Sequence, residues 1–276
     1  MENKPHKISA CMVIYNEEKV IRQCLESIKN LADEIIIMHD GECTDKTVAI
    51  AKEYTDKVFV LPHVGVSEEH RVFGMNRATG DWILRIDADE FFDPADIDKI
   101  RAFITNDKVD GYIFKWEMWN GKAPVYFKGL QKFCLYRKSA FHFVGVPHQV
   151  GHVDGKTEQT DITLHHRPSY NNVVWKSFLN KNKLWVPVHA KYFFPEIVKK
   201  YECFNYLEKD WIAYVTKVRK YIFLYLLFVP IKNSLGQFKN GLWTSPIGWS
   251  VALQQYVYYV CLFWEIWKID KSLEKI

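Results

Sequence analysis

The sequence predicts an α/β fold: a doubly wound, mostly parallel sheet followed by a helical extension. Three observations carry this. Short β-branched and aromatic runs alternate with helical patterns over residues 8–93, the signature of βαβ units. The runs are continuously apolar rather than alternating, as in strands covered on both faces. After residue 170 the composition turns basic and aromatic, which marks a second part. We therefore divide the chain at 1–170 and 171–276.

In order, Ile8–Tyr15 (ISACMVIY) reads as the first strand. Val20, Ile21, Cys24, Leu25 and Ile28 follow at helical spacing, with Asn16 placed to cap that helix and Glu17 and Glu18 at its positive end. Glu34–Met38 (EIIIM) is the second strand, with a loop through Asp40 and Asp45 leading to a helix at Val48–Tyr54. Lys57–Leu61 is the third strand, and Glu68–Thr79 a helix carrying Arg71 and Asn76. Trp82–Ile86 then forms a buried strand that delivers Asp87 and Asp89, separated by Ala88, to its carboxyl end. Alternate strand residues point the same way, so this D-x-D presents two carboxylates together and calls for a hard divalent cation between them. Taken alone, D-x-D reads more readily as a solvated strand-end turn. Ligands of such sheets bind beyond the carboxyl ends of the strands, where Tyr15, Asp40 and Asp87 all fall.

Bulk properties narrow the partners. With 48% hydrophobic and 25% charged residues among 276, the chain is an ordinary globular protein. Its six cysteines include no C-x-x-C pair, which argues against a zinc ribbon or disulfide framework and fits a reducing compartment. The opening MENKPHKISACMVIYNEE has no apolar stretch of signal-peptide length, so the cytoplasm is the expected location. Residues 1–169 carry a net charge of −4 and residues 170–276 of +8. A basic aromatic tail suits an anionic membrane face. No helix-turn-helix, zinc-finger or RNP pattern accompanies the charge, so nucleic acid is not expected.

Three stretches in register are more specific: VIYNEE, a strand ending at Asp40-Gly41 with Thr44-Asp45 following, and ATGDWILRIDADE. Together they resemble the nucleotide-sugar-binding half of inverting family 2 glycosyltransferases, which have a GT-A fold. The likeness is greatest to the glucosyl- and heptosyl-type transferases of lipopolysaccharide core assembly. These carry a lysine or arginine nine residues before the glycine of T-G-D-W, where Arg71 stands. It continues through GLQKFCLYR (129–137), Val146-Pro147-His148-Gln149, Asp154-Gly155 and Leu164-His165-His166.

The resemblance implies an inverting, metal-dependent transfer of a sugar from a nucleotide donor, expected to be UDP-linked, to a membrane-bound or lipid-linked glycan in cell-surface polysaccharide synthesis. Asp89 is then the expected direct ligand of Mg²⁺ or Mn²⁺, with Asp87 a ribose or metal contact and His165 completing the metal or phosphate site. Arg71 pairs with the diphosphate. Tyr15 lies against the base, Asn16 and Glu17 shape the loop beneath the nucleoside, Asp40 contacts the base, and His148 belongs to the donor site. Two departures stand out. The family usually reads D-D-G-S or D-S-G-S where this chain has His39-Asp40-Gly41-Glu42. It also commonly carries His-Glu where His148-Gln149 stands, and a glutamine accepts no proton at neutral pH. Gln149 thus leaves the base open, with Glu117 and Asp154 as the candidates, and keeps a catalytically weakened sugar-nucleotide-binding or scaffold protein as the alternative. Transfer to a soluble or protein acceptor is a second alternative.

In the extension, Tyr221–Phe228 is apolar all round but stopped by Pro230, too short to cross about 30 Å of hydrocarbon. Val251–Trp267 is rich in tyrosine and tryptophan yet broken by Gln254, Gln255 and Glu265. We read residues 199–276 as amphipathic helices lying on the cytoplasmic leaflet, with the joint marked by Pro230, Gly236, Gly241, Pro246 and Gly248. Other readings have these helices cap the catalytic half, join two copies of the chain, or span once through Val251–Trp267.

Overall fold

A computed structural model describes residues 6–127, 129–149, 151–198, 200–239 and 242–274. Lys199, where the reading of 199–276 begins, and Gly241 lie outside the described residues. The first half alternates as expected: β1 (Ile8–Ile14), α1 (Ile21–Ile28), β2 (Glu34–Asp40), α2 (Thr47–Ala51), β3 (Val58–Leu61), α3 (Glu68–Arg77) and β4 (Trp82–Arg85). In α1, Ile21, Cys24, Leu25 and Ile28 are buried, the stripe that pins an amphipathic helix to a sheet. Asn16 does not cap it. Its backbone is left-handed at φ 52° and its side chain instead accepts the Thr44 N–H at 3.0 Å, while Val20 precedes the first turn.

The chain continues through β5 (Glu90–Phe91), α4 (Ile97–Phe103), β6 (Gly111–Trp116), β7 (Met118–Trp119), β8 (Pro124–Val125), β9 (Gln131–Arg137), β10 (Phe141–Val144), β11 (His152–Val153) and β12 (Thr157–His166). An eight-stranded sheet runs β3-β2-β1-β4-β9-β6-β12-β5. Neighbours from β3 to β4 are parallel, as are β6 and β12, whereas β9 is antiparallel to both β4 and β6. This mixed, helix-flanked sheet has the GT-A architecture; the antiparallel insertion of β9 is what the alternation over 8–93 did not contain. Gly80 brings the chain into β4 where a Cβ would meet the Lys7 carbonyl oxygen and the Ser9 hydroxyl, both at 2.7 Å, so only glycine passes there.

The second part comprises α5 (Trp175–Lys191), β13 (Cys203–Phe204), α6 (Glu208–Lys220), α7 (Ile222–Lys239) and α8 (Pro246–Leu273). A second apolar cluster joins α5, α6 and α8 through Val186, Trp211, Val215, Leu262 and Phe263. The apolar run at 221–228 is not stopped by Pro230, which sits inside α7; one lost backbone bond there is tolerable. Helix α8 starts with Ser245 accepting the Gly248 N–H and Pro246 in its first turn, an N-terminus of favoured chemistry. Among the described residues no helix is long and apolar enough to cross a membrane. β13 returns to the first part, pairing with β10 in a small β11-β10-β13 sheet.

Candidate active site at the end of the fourth strand

β1 and β4 are sheet neighbours, so Tyr15 to Glu17 and Asp87 to Glu90 leave the sheet side by side. Residues 87–89 do not prolong β4. They form a turn closed by the Glu90 N–H on the Asp87 carbonyl at 3.0 Å, and the two carboxylates consequently part company. Asp87 Oδ1 meets an Arg71 guanidinium nitrogen at 2.7 Å and Oδ2 meets Lys132 Nζ at 2.7 Å. Asp89 Oδ2 faces His166 Nε2 at 3.2 Å. The repulsion expected of the pair is thus relieved partly by the protein's own cations.

Beneath the turn lies a buried charge network. Lys132 Nζ also contacts Glu90 at 2.6 Å, and Glu90 accepts the Asp87 N–H at 2.9 Å and the Trp116 Nε1–H at 2.8 Å. Burial by itself would raise the Asp87 carboxyl, but Arg71 and Lys132 outweigh it and hold it well below the usual carboxylate range. Glu90 is raised, by burial first and by Asp87 and Asp89 beside it, against the pull of Lys132. Across the turn, burial together with Asp89, Asp45 and Asp87 pushes Glu17 up to about 7. Lys181 on α5 donates to the Tyr170 hydroxyl, and burial lowers it while Asp89 and Glu17 oppose the shift. The extension therefore walls the acidic turn with a cation.

Both Asp87 oxygens are engaged within the protein, which leaves Asp89 as the carboxylate of the pair able to take a cation, with His166 Nε2 the nitrogen facing it. Mg²⁺ is usually held by one or two carboxylates, with phosphate oxygens and water completing its shell, and Asp89 supplies one such carboxylate. His165 is one residue out of phase. It stacks on Phe91 at 5.0 Å and bonds Glu117 and Asp93 at 3.2 and 3.1 Å, because neighbours on β12 point to opposite faces.

Asp40 is engaged within the protein. Its buried carboxylate accepts the Val64 and Gly65 N–H groups at 2.7 and 3.0 Å and lies 2.9 Å from His70 Nε2. It is occupied in shaping the loop after β3, which leaves the exposed Tyr15 ring, tilted against His39 and His63 at 6.0 and 5.3 Å, as the aromatic wall of this end. His39, unusual in its place, is fully buried and accepts the Asn16 N–H at 3.3 Å.

Neither alternative base is at the turn. Glu117 is fully buried and ion-paired with Arg167, besides accepting the His166 N–H at 3.4 Å. Asp154 lies on the small sheet beside His142 and His152. Gln149 and His148 sit in the β10–β11 loop, where the His148 N–H meets Glu68 Oε1 at 3.3 Å and its ring packs near Trp185, His189 and Tyr258. Sequence reasoning missed Lys132, Glu90, Glu68, His166 and Lys181. Glu90 stood next to the D-x-D and His166 next to His165, but which faced inward depended on strand register.

A model of glycosyl transferase family 2 matches residues 9–155. An uncharacterized glycosyltransferase of Rickettsia typhi is 35% identical over 130 residues, 47% of this chain and 42% of the relative. Another from Escherichia coli K12, YibD, is 32% identical over 120 residues, 40% of this chain and 34% of the relative. The matched stretch is thus less than half the length of these curated relatives. Among solved structures, glucosyl-3-phosphoglycerate synthase from Mycobacterium tuberculosis with Mg²⁺ and UDP aligns at TM-score 0.46 and 16% identity, covering 67% of this chain and 77% of that one.

Proposed function

The chain belongs to glycosyl transferase family 2, and from that premise we propose that it moves a sugar from a UDP-linked donor to a glycan acceptor held at a membrane. The observation that carries this is the turn after β4: Asp89 stands opposite His166 while Arg71 and Lys132 balance Asp87. Asp89 and His166 would hold Mg²⁺ or Mn²⁺, which supplies neutralisation of the charge growing on the departing diphosphate. Arg71 and Lys132 keep Asp87 ionised and the turn rigid. Tyr15 offers a face to the base, and Asn16 fixes the loop that carries Glu17. Calorimetry of UDP with Mn²⁺ tests the reading: Asp89→Asn is expected to weaken manganese-assisted affinity at least tenfold, about 1.4 kcal/mol. Unchanged affinity would overturn it.

For the acceptor proton we assign Glu68. Gln149 cannot take it, and Glu68 is the carboxylate bonded to the same loop. One base and direct attack invert the anomeric centre, so product stereochemistry by NMR would refute the mechanism if it came out retained. Gln149 is also the observation favouring a binding or scaffold role. UDP release from UDP-sugars with Mn²⁺ separates the two, since a scaffold binds without release.

An exposed face of α7 supports an acceptor held at a membrane. Phe223, Leu224, Leu227, Phe228, Ile231 and Leu235 are all exposed and recur along one side of that helix, with exposed Lys217, Lys220 and Lys232 close in sequence. An apolar stripe with lysines nearby suits an anionic leaflet, and placement there fits transferases of the lipopolysaccharide-core type. Co-sedimentation with phosphatidylglycerol vesicles is expected, with loss in Leu227→Glu/Phe228→Glu. Equal sedimentation of both proteins would exclude this surface.

A further inference from the structure

The small sheet holds a cluster that the transfer reaction does not use. His142 on β10 and His152 on β11 are directly opposed across the antiparallel pair, their rings stacked at 4.8 Å and 15°. Asp154 follows β11, with one oxygen 2.8 Å from His142 Nε2 and the other 3.7 Å from His152 Nε2. One donor atom from each residue lies within 4.8 Å of the other two. Bonds of about 2.0–2.1 Å to a tetrahedral Zn²⁺ put neighbouring ligand atoms about 3.3 Å apart, between the two measured separations.

The backbone fixes each member. His142 Nδ1 is taken up by the Asn205 carbonyl, so the lone pair of the neutral ring resides on Nε2, toward Asp154. That carbonyl is itself held, for Asn205 Nδ2 donates to the Lys138 and Phe141 carbonyls at 3.1 and 3.0 Å. Such an outer partner is the usual orienting device for a metal-binding histidine. The Asp154 N–H is bonded to the Ala140 carbonyl at 2.9 Å, and Gly155 follows at φ 120° where a Cβ would strike Asp110. A lone pair aimed at a carboxylate needs a positive charge between them, either a proton or a metal ion.

We propose that His142, His152 and Asp154 bind a divalent transition metal of the Zn²⁺ class, which staples the stem of the hairpin whose loop carries His148 and Gln149. Two imidazole nitrogens with one carboxylate favour such an ion over Mg²⁺; the turn at Asp89 presents only one imidazole beside its carboxylate. It leaves a fourth position for water, and it ties the strands at the point where β13 joins them.

The test uses the full chain without a polyhistidine tag, stripped by chelator and titrated with Co²⁺ under excess Mg²⁺. The readout is the visible Co²⁺ band and its displacement by Zn²⁺. One equivalent is expected, with affinity lowered more than about tenfold in His152→Ala and in Asp154→Ala and retained in Asp89→Ala. Zn²⁺ should raise the unfolding temperature of the wild type but not of His152→Ala. Both altered residues are exposed, so neither substitution threatens the fold. Absence of Co²⁺ uptake, uptake equal in His152→Ala, or uptake lost instead in Asp89→Ala would each overturn the assignment.

Discussion

Replacing Lys132 by methionine tests the network beneath the acidic turn. Its ammonium lies 2.6 Å from Glu90, whose side chain is 1% exposed, and 2.7 Å from Asp87. Methionine keeps most of the volume, so the change is chiefly electrostatic. Asp87 retains Arg71, whereas Glu90 keeps two hydrogen bonds and loses its cation. Removing one partner of a buried pair typically costs about 3–5 kcal/mol. The pH dependence follows from Glu90, whose carboxyl is raised even with Lys132 present. An acid with a raised folded pKa binds its proton more tightly when folded, so stability falls as pH rises from the unfolded value through the folded one. Without Lys132 that rise is larger. The variant's deficit should therefore be greatest near pH 8 and narrow toward about pH 5.5, read by urea unfolding followed by tryptophan fluorescence. Adding Glu90→Gln should recover part of it, since a neutral amide needs no cation. A deficit below about 1 kcal/mol at pH 8, the scale of an exposed pair, would refute the reasoning, as would one that does not narrow on acidification.

Two further outcomes are expected at the site. His166→Ala should weaken Mn²⁺-assisted UDP binding by more than about tenfold, on the scale of a lost metal contact, while His165→Ala leaves it within about twofold; calorimetry of both variants decides, and the reverse order would restore His165 to the metal. Glu68→Gln should lower kcat by about 10²–10⁴, the usual contribution of a positioned base, with donor KM little changed; steady-state UDP release checks this, and wild-type kcat would remove Glu68 from the proton transfer.

How much of this could be read in advance follows from the range of the interactions involved. Strands β1, β2 and β4 were legible because Ile8–Ile14, Glu34–Asp40 and Trp82–Leu84 are buried almost throughout and carry that in their composition. Asp89 was legible because it follows such a strand closely. His166 was not, since a one-residue shift in phase on β12 exchanges it with His165. Lys132 sits 45 positions from Asp87, brought there by an antiparallel β9 that no local pattern announces. Pro230 misled because breaker rules describe isolated helices, whereas α7 leans on α8. Asp40 kept its place but not its freedom, for His70 and two backbone amides on a distant loop occupy it.

The pairing of β13 with β10 bears on the order in which the protein is finished during synthesis. Phe204 is made about sixty residues after Phe143, yet lies against it in the small sheet, and the ribosome adds only about 5–20 residues per second. The hairpin that presents His148 and Gln149 thus emerges with one edge open and waits several seconds for its third strand. A nascent chain stalled before Cys203 would hold the complete eight-stranded sheet with an unsealed loop beside it, a point at which chaperone capture or premature cleavage would be concentrated.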